Sequence, residues 1–344
     1  MQRLLLKALC VDPLEPGRVD QEWLCKVWKT QEPDWVRRFC RTRTFCVLEP
    51  IRALAGAPLQ ARKSIHDEFC LQNRVRIRFE AGGDFRVLTE LPGVTEEIAK
   101  EVHRLFSRFY EFLGHETGAN WNGYEFAGNR AIRRDAYVAA IEATNAAQLS
   151  VCPYCDGSND EPELDHYYPK ETYPLLSCSP WNLVGVCHHC NKLGAKQGRV
   201  ALTVDHANPA DAWLHPFFRP ASLQTQIRIT GTPSDPNATL QSPNPVEQQR
   251  LKNHSELIPT LSKRWRKIAV RSFGVLVAEI NARIDAQNTV ASLVQIRHED
   301  HLRTRGRSPD SLIHAAVCQA VLDGRPGYID EFAYPNAPVL ALDD

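Results

Sequence analysis

Eight side chains in one stretch of this chain stand out among those of types that bind metal ions or move protons. In order they are Cys152, Cys155, Asp165, His166, Asn182, Cys187, Cys190 and Asn191. A Cys-x-x-Cys turn points two thiolates the same way, and two such turns complete a tetrahedral zinc site that is closed to substrate. The 31 residues between the pairs exceed the about 15–20 of a simple zinc ribbon. The metal therefore reads as a staple around an insert, and the insert holds Asp165, His166 and Asn182. Few large apolar side chains lie in it, so zinc would supply much of its folding free energy. A lone Asp-His pair is common; its company here, Asn182 and Asn191, is what singles it out.

CPYC, LDHYYPK, YPLLSCSPWNLV and CHHCNKLGAK follow one another between about residues 130 and 200. In composition and order this segment resembles the HNH endonucleases of the ββα-metal class. The resemblance implies that His166 is the first H, Asn182 the middle N, and that Asn191 stands in the place of the last H, a known variant. Hydrolysis of a phosphodiester needs a base to take a proton from water, and an imidazole titrates near working pH. His166 is thus the expected general base. Asp165 and Asn191 would offer oxygen ligands to a catalytic divalent cation, Mg²⁺ or Mn²⁺. Asn182 would brace the hairpin that carries His166. Lys170, Lys192, Lys196 and the Tyr167/Tyr168 pair are candidates for phosphate contacts. The YPLLSCSPWNLV…CNK pattern, followed by His215-Pro216-Phe217-Phe218, is further similar to HNH proteins of bacterial anti-phage defence, among them the nuclease subunits of Septu-type pairs. Such proteins often act with an ATPase partner, and this chain carries no Gly-x-x-x-x-Gly-Lys-Ser/Thr of its own. DNA is the expected partner, and an ATPase subunit and a second copy of the chain are further candidates. Two readings stand beside DNA cleavage: a zinc module that binds nucleic acid or protein without cutting, and an RNA-cutting nuclease of the same fold.

The elements that must position this segment fill the rest of the 344 residues. The expected class is α+β, with a zinc-stapled ββα-metal core at 128–220 between a mixed α/β region at 1–127 and a mainly helical one at 221–344. Hydrophobic content of 43% and 24% charged residues suit a soluble globular chain. No apolar run nears the length of a membrane span. MQRLLLKALCVDPLEPG lacks the apolar core and cleavage site of a secretory signal, so a cytoplasmic location is expected. The formal net charge is zero: it is +2 over 1–150, −3 over 151–220 and +1 over 221–344. The candidate site thus lies in the most acidic segment, which suits cations and leaves the grip on a polyanion to the flanks. Seven of the eleven cysteines fall outside the knuckles and read as small buried hydrophobes.

Along the chain, Trp23, Leu24, Val27 and Trp28, then Trp35, Val36 and Phe39, recur at helical spacing around a turn at 32–34. Arg37, Arg38, Arg41 and Arg43 cluster there, as a solvated face or a phosphate contact. Residues 73–79, NRVRIRF, alternate as a strand, with Arg74, Arg76 and Arg78 on one face, either a DNA-backbone surface or a charge-protected edge. A turn at 82–84 and a second strand, FRVLTEL, would follow. Residues 94–113 form an amphipathic helix, and 129–145 another. Beyond the module, 227–229 reads as a weak strand, 231–245 as a turn-rich excursion, 246–282 as a helical stretch broken at Pro259, and 311–322 as a last helix. Lys263, Arg264, Arg266 and Lys267 surround Trp265, either a nucleic-acid platform or a solvated face with a docked indole.

Overall fold

The computed structural model describes residues 1–11, 14–29, 31, 33–40, 46–81, 85–113, 151–192, 195–196, 198–199, 212–284 and 288–332. The expected helix at 129–145, the turn at 82–84, Arg41 and Arg43 lie outside these residues. The chain divides into two compact units, Met1–Thr144 with Leu164–Val184 and Gln197–Asp211, and Asn145–Glu163 with Gly185–Lys196 and Ala212–Asp344.

The first unit is built from α1 (Gln2–Leu9), α2 (Gln21–Val27), α3 (Pro33–Cys40), α4 (Leu48–Gly56), α5 (Leu59–Gln72), α6 (Val75–Ala81) and α7 (Glu96–Leu113). Asp20 caps α2 through Trp23 N at 2.7 Å, satisfying an amide that the helix itself leaves unpaired. Pro33 opens α3, where a missing N–H costs nothing. Trp28, Trp35, Phe39 and Phe109 pack edge-to-face and stacked, with ring centroids 4.7–6.0 Å apart. The long apolar stripe of α7, Val102, Leu105, Phe106 and Phe109, is buried in the same core. Two buried arginines close helix ends in this core: Arg62 donates to Leu9 O and Val11 O past α1, and Arg108 to Arg38 O and Phe39 O in the last turn of α3. Cationic donors at helix C-termini satisfy orphan carbonyls and oppose the dipole.

The N-terminal region departs from the mixed α/β expectation. Among its described residues there is no strand, and 75–81 is α6. Val75 and Phe79 are buried while Ile77 is 61% exposed. Positions four apart share a face in a helix and in a strand alike; Ile77, two from each, separates the two periods and points outward. The arginine row therefore does not exist as a sheet face. Arg74 is exposed, and Arg76 pairs with Glu80 one turn on at 2.8 Å. The expected second strand is extended backbone and a 3-10 turn at Leu88–Glu90.

Among its described residues the second unit holds a hairpin, β3 (Gln226–Thr232) and β4 (Asp235–Gln241), and, besides one short turn of helix in the second knuckle, four helices: α9 (Pro245–Leu257), α10 (Leu261–Asn281), α11 (Val290–Arg303) and α12 (Ser311–Leu322). β3 and β4 pair antiparallel, Ile227 against Leu240 and Ile229 against Ala238. β4 takes up the middle of the expected turn-rich excursion; its Pro236 sits opposite Gly231 near the turn. Gly231 takes φ +84°, and a side chain there would meet Asp235 O at 2.5 Å. Asn244 caps α9 through Val246 N and Glu247 N, and the break near Pro259 falls between α9 and α10 as expected. Among the described residues the class is α+β, mostly helix with two small two-stranded sheets. No helix among the described residues is long and apolar enough to cross a membrane.

Candidate active site and metal centre

The four-cysteine cluster is assembled within the second unit. Each knuckle folds back on its own first cysteine: Cys155 N and Asp156 N donate to Cys152 O, and Cys190 N and Asn191 N donate to Cys187 O. The four sulfurs lie within 4.8 Å of one another, all buried, and none is in a disulfide. Cys155 Sγ and Cys187 Sγ are 3.7 Å apart. A tetrahedral ion at the usual Zn–S distance of about 2.3 Å sets its sulfurs about 3.8 Å apart. Geometry and donor set therefore fit one zinc ion with no open position.

Four thiolates around a divalent cation leave a net charge of about −2 in a buried place, which demands compensation. Arg264, from α10, supplies it. Its Nη1 donates to Cys187 Sγ at 3.2 Å, and Cys187 N donates to Cys152 Sγ at 3.4 Å. Burial opposes the guanidinium charge, but the cysteine sulfurs, led by Cys155, outweigh it and hold the arginine charged. Gly157 makes the approach feasible, because any side chain there would overlap the Arg264 guanidinium. Trp265 Nε1 donates to Cys155 O at 3.0 Å, and His254 Nε2 to Tyr154 O at 2.8 Å. The C-terminal helices thus grip the first knuckle. Trp265 is buried, and Arg266 pairs with Asp235 at 2.6 Å. That disposes of the cluster around Trp265 as an aromatic platform for nucleic acid. Asp156 ties the knuckle to α12: it adopts φ 62°, and its Oδ2 accepts from Leu312 N at 2.7 Å.

The candidate catalytic histidine belongs to β1 (Glu163–His166), which forms a two-stranded sheet with β2 (Leu183–Val186). Asp165 and His166 are both at the margin of burial, 8% and 9% exposed. His166 Nε2 lies 2.9 Å from Ser177 O. A carbonyl only accepts, so Nε2 carries the proton and, in the neutral ring, Nδ1 carries the lone pair. Ser177 is itself anchored, its hydroxyl donating to Phe106 O of α7 at 3.2 Å. Asn73 Nδ2 donates to Leu175 O in the 3-10 turn just before it, also at 3.2 Å. The N-terminal helices are thus the framework that fixes the carbonyl orienting His166. Tyr110, on α7, packs edge-on to the His166 ring at 4.5 Å, and Lys170 Nζ lies 5.0 Å from the same tyrosine ring.

Asn182 is fully buried. Its Oδ1 accepts from Tyr168 N at 2.7 Å, and its Nδ2 donates to Tyr168 O at 3.0 Å and Leu176 O at 3.2 Å. Tyr167 N donates to Asn182 O at 2.8 Å. One amide thus clamps the turn leaving His166 to the turn carrying Ser177. Asn182→Ala would remove one hydrogen bond from each of three backbone groups, of which Leu176 O keeps Ser179 N, at about 1–3 kcal/mol for each group left unsatisfied before relaxation. Its expected outcome is a melting temperature lowered by several degrees, with the zinc retained; thermal unfolding alongside elemental analysis checks both.

The remaining expected residues divide by exposure. Lys192 is exposed. Lys196 is 1% exposed and so is not displayed for a phosphate contact. Tyr167 and Tyr168 are buried, Tyr168 packing on Phe85 at 4.6 Å, and they belong to the hydrophobic support. His215, in the His-Pro-Phe-Phe run, is buried against Phe218 at 4.4 Å and pushed down to about 3 by burial. It is a neutral packing residue. Cys40, Cys178 and Cys318 are likewise buried, their thiols pushed up to about 12 by desolvation. Ser177 carries no signal in the sequence, and Arg264 reads there only as one member of the basic cluster around Trp265. The sign of Arg264's neighbourhood was readable, but its partner lies 77 positions away.

No family model matches the chain, and no solved structure does. Among curated proteins, one similarity stands out. The chain is 29% identical over 140 residues to the protein ea31 of Escherichia phage lambda, a match covering 38% of this chain and 45% of ea31. The matched part therefore spans less than half of that relative, whose name states no activity.

Proposed function

We propose that this protein is a zinc-stapled, metal-dependent endonuclease of the HNH type that hydrolyses phosphodiester bonds in DNA. The observation that carries the reading is the His166 ring, whose Nε2–H is given to Ser177 O at 2.9 Å, which makes Nδ1 the basic nitrogen of the neutral ring. In this reading His166 takes the proton of the attacking water. Asn182 holds the turn that keeps the ring at its angle. Asp165 and Asn191 supply a carboxylate and an amide oxygen, the hard donors that Mg²⁺ or Mn²⁺ prefers. The divalent cation, when bound, supplies stabilisation of the charge that grows on the phosphate oxygens. The four-cysteine zinc has no such role, having no open position. Lys170 and Lys192 remain candidates for phosphate contacts, and Arg74 and Arg76 for more distant ones.

The resemblance to HNH proteins of anti-phage defence supports a bacterial defence setting with a separate ATPase partner, and the cytoplasm as the place of action. The test is nicking of closed circular DNA with Mg²⁺ and without it. Metal-dependent nicking is expected; tight binding without nicking in either Mg²⁺ or Mn²⁺ would favour a zinc module that only binds.

A further inference from the structure

Asn191 raises a question that a histidine in its place would not. An amide has an oxygen and a nitrogen at almost the same position, and only the oxygen can hold a cation. Something must decide which faces the site. The second knuckle shows what does. Asn191 Nδ2 donates to Glu163 Oε2 at 2.7 Å, and the other oxygen of the same carboxylate, Oε1, lies 2.7 Å from His188 Nδ1. His188 and Asn191 are the first and last residues of α8 (His188–Asn191), so one carboxylate spans the whole turn. A carboxylate accepts and an amide oxygen cannot donate, so the contact admits a single orientation of the Asn191 amide.

We infer that Glu163 is a positioning residue that turns the Asn191 amide so that its oxygen, not its nitrogen, is presented to a divalent cation, with His188 holding the carboxylate in place. The inference rests on the reading of Asn191 as a cation ligand. It explains how an asparagine can serve where the amide could otherwise flip. Glu163→Gln removes the constraint, because a glutamine can meet either end of the Asn191 amide. Loss of a partner that orients a metal ligand costs about 10–100-fold in affinity.

The experiment measures Mn²⁺ binding to the full chain by electron paramagnetic resonance, with zinc content checked for each variant. Glu163→Gln should bind Mn²⁺ about 10–100-fold more weakly than the wild type, with zinc unchanged. In an Asn191→Asp background both ligand oxygens are alike and no amide has to be oriented. There Glu163→Gln should weaken Mn²⁺ binding by much less than it does beside Asn191. An equal weakening in both backgrounds would mark Glu163 as merely structural and overturn the inference, as would unchanged affinity of Glu163→Gln beside a wild type that binds. A wild type that binds no Mn²⁺ would remove the reading of Asn191 itself.

Discussion

Replacing His166 by alanine is expected to lower Mg²⁺-dependent cleavage by at least about 100-fold, the lower end of what a positioned general base contributes. Zinc content should stay at one ion per chain, because the four cysteines and Arg264 belong to the other compact unit. The variant frees Ser177 O from its partner at 2.9 Å, a loss of about 1 kcal/mol, so the melting temperature should drop by only a few degrees. Single-turnover cleavage beside thermal unfolding separates the two effects. Undiminished cutting would show that the proton goes elsewhere. Collapse of both activity and fold would assign His166 to architecture alone.

The second large effect concerns zinc. Structural zinc in small modules contributes an apparent free energy of about 10–16 kcal/mol, against a net domain stability of about 5–15 kcal/mol. Stripping the metal, or replacing Cys187 with alanine, should therefore abolish cooperative folding of the unit that holds the knuckles. The expected consequence reaches the C-terminal helices. Without the knuckle, Arg264 is left beside an empty thiol cluster, Trp265 and His254 lose the carbonyls they bind, and Leu312 N loses Asp156. Elemental analysis should find about one zinc per chain, and near-ultraviolet circular dichroism should lose its signal on stripping. A metal-free protein that melts like the native one would refute the staple.

The four-cysteine cluster was legible because metal ligands need particular side chains at particular spacings. Two Cys-x-x-Cys turns can be read in any fold that brings them together, and Asn182 was placed beside the histidine hairpin by motif alone. Helices with a strong 3.6-residue stripe, such as α7 and α10, were equally plain. α6 was not, since Val75 and Phe79 satisfy two periods and its arginines mimic the polar half of a strand. α11 was missed because only Val290 and Val294 of it are buried, too few to mark a stripe. β4 was hidden by its proline and small residues. What no local pattern holds is the long-range partner. Arg264 to Cys187, Asp156 to Leu312 and Ser177 to Phe106 join positions from about seventy to more than a hundred and fifty apart, and only the fold supplies them.

The most direct measurement is incubation of the zinc-replete protein with plasmid, linear duplex, single-stranded DNA and RNA, in Mg²⁺, in Mn²⁺ and in a chelator too weak to take the zinc. Cleavage of DNA with either added cation and none with the chelator is the predicted result. Intact DNA under every condition, from a folded protein carrying its zinc, would contradict the assignment of His166 and its neighbours to DNA hydrolysis.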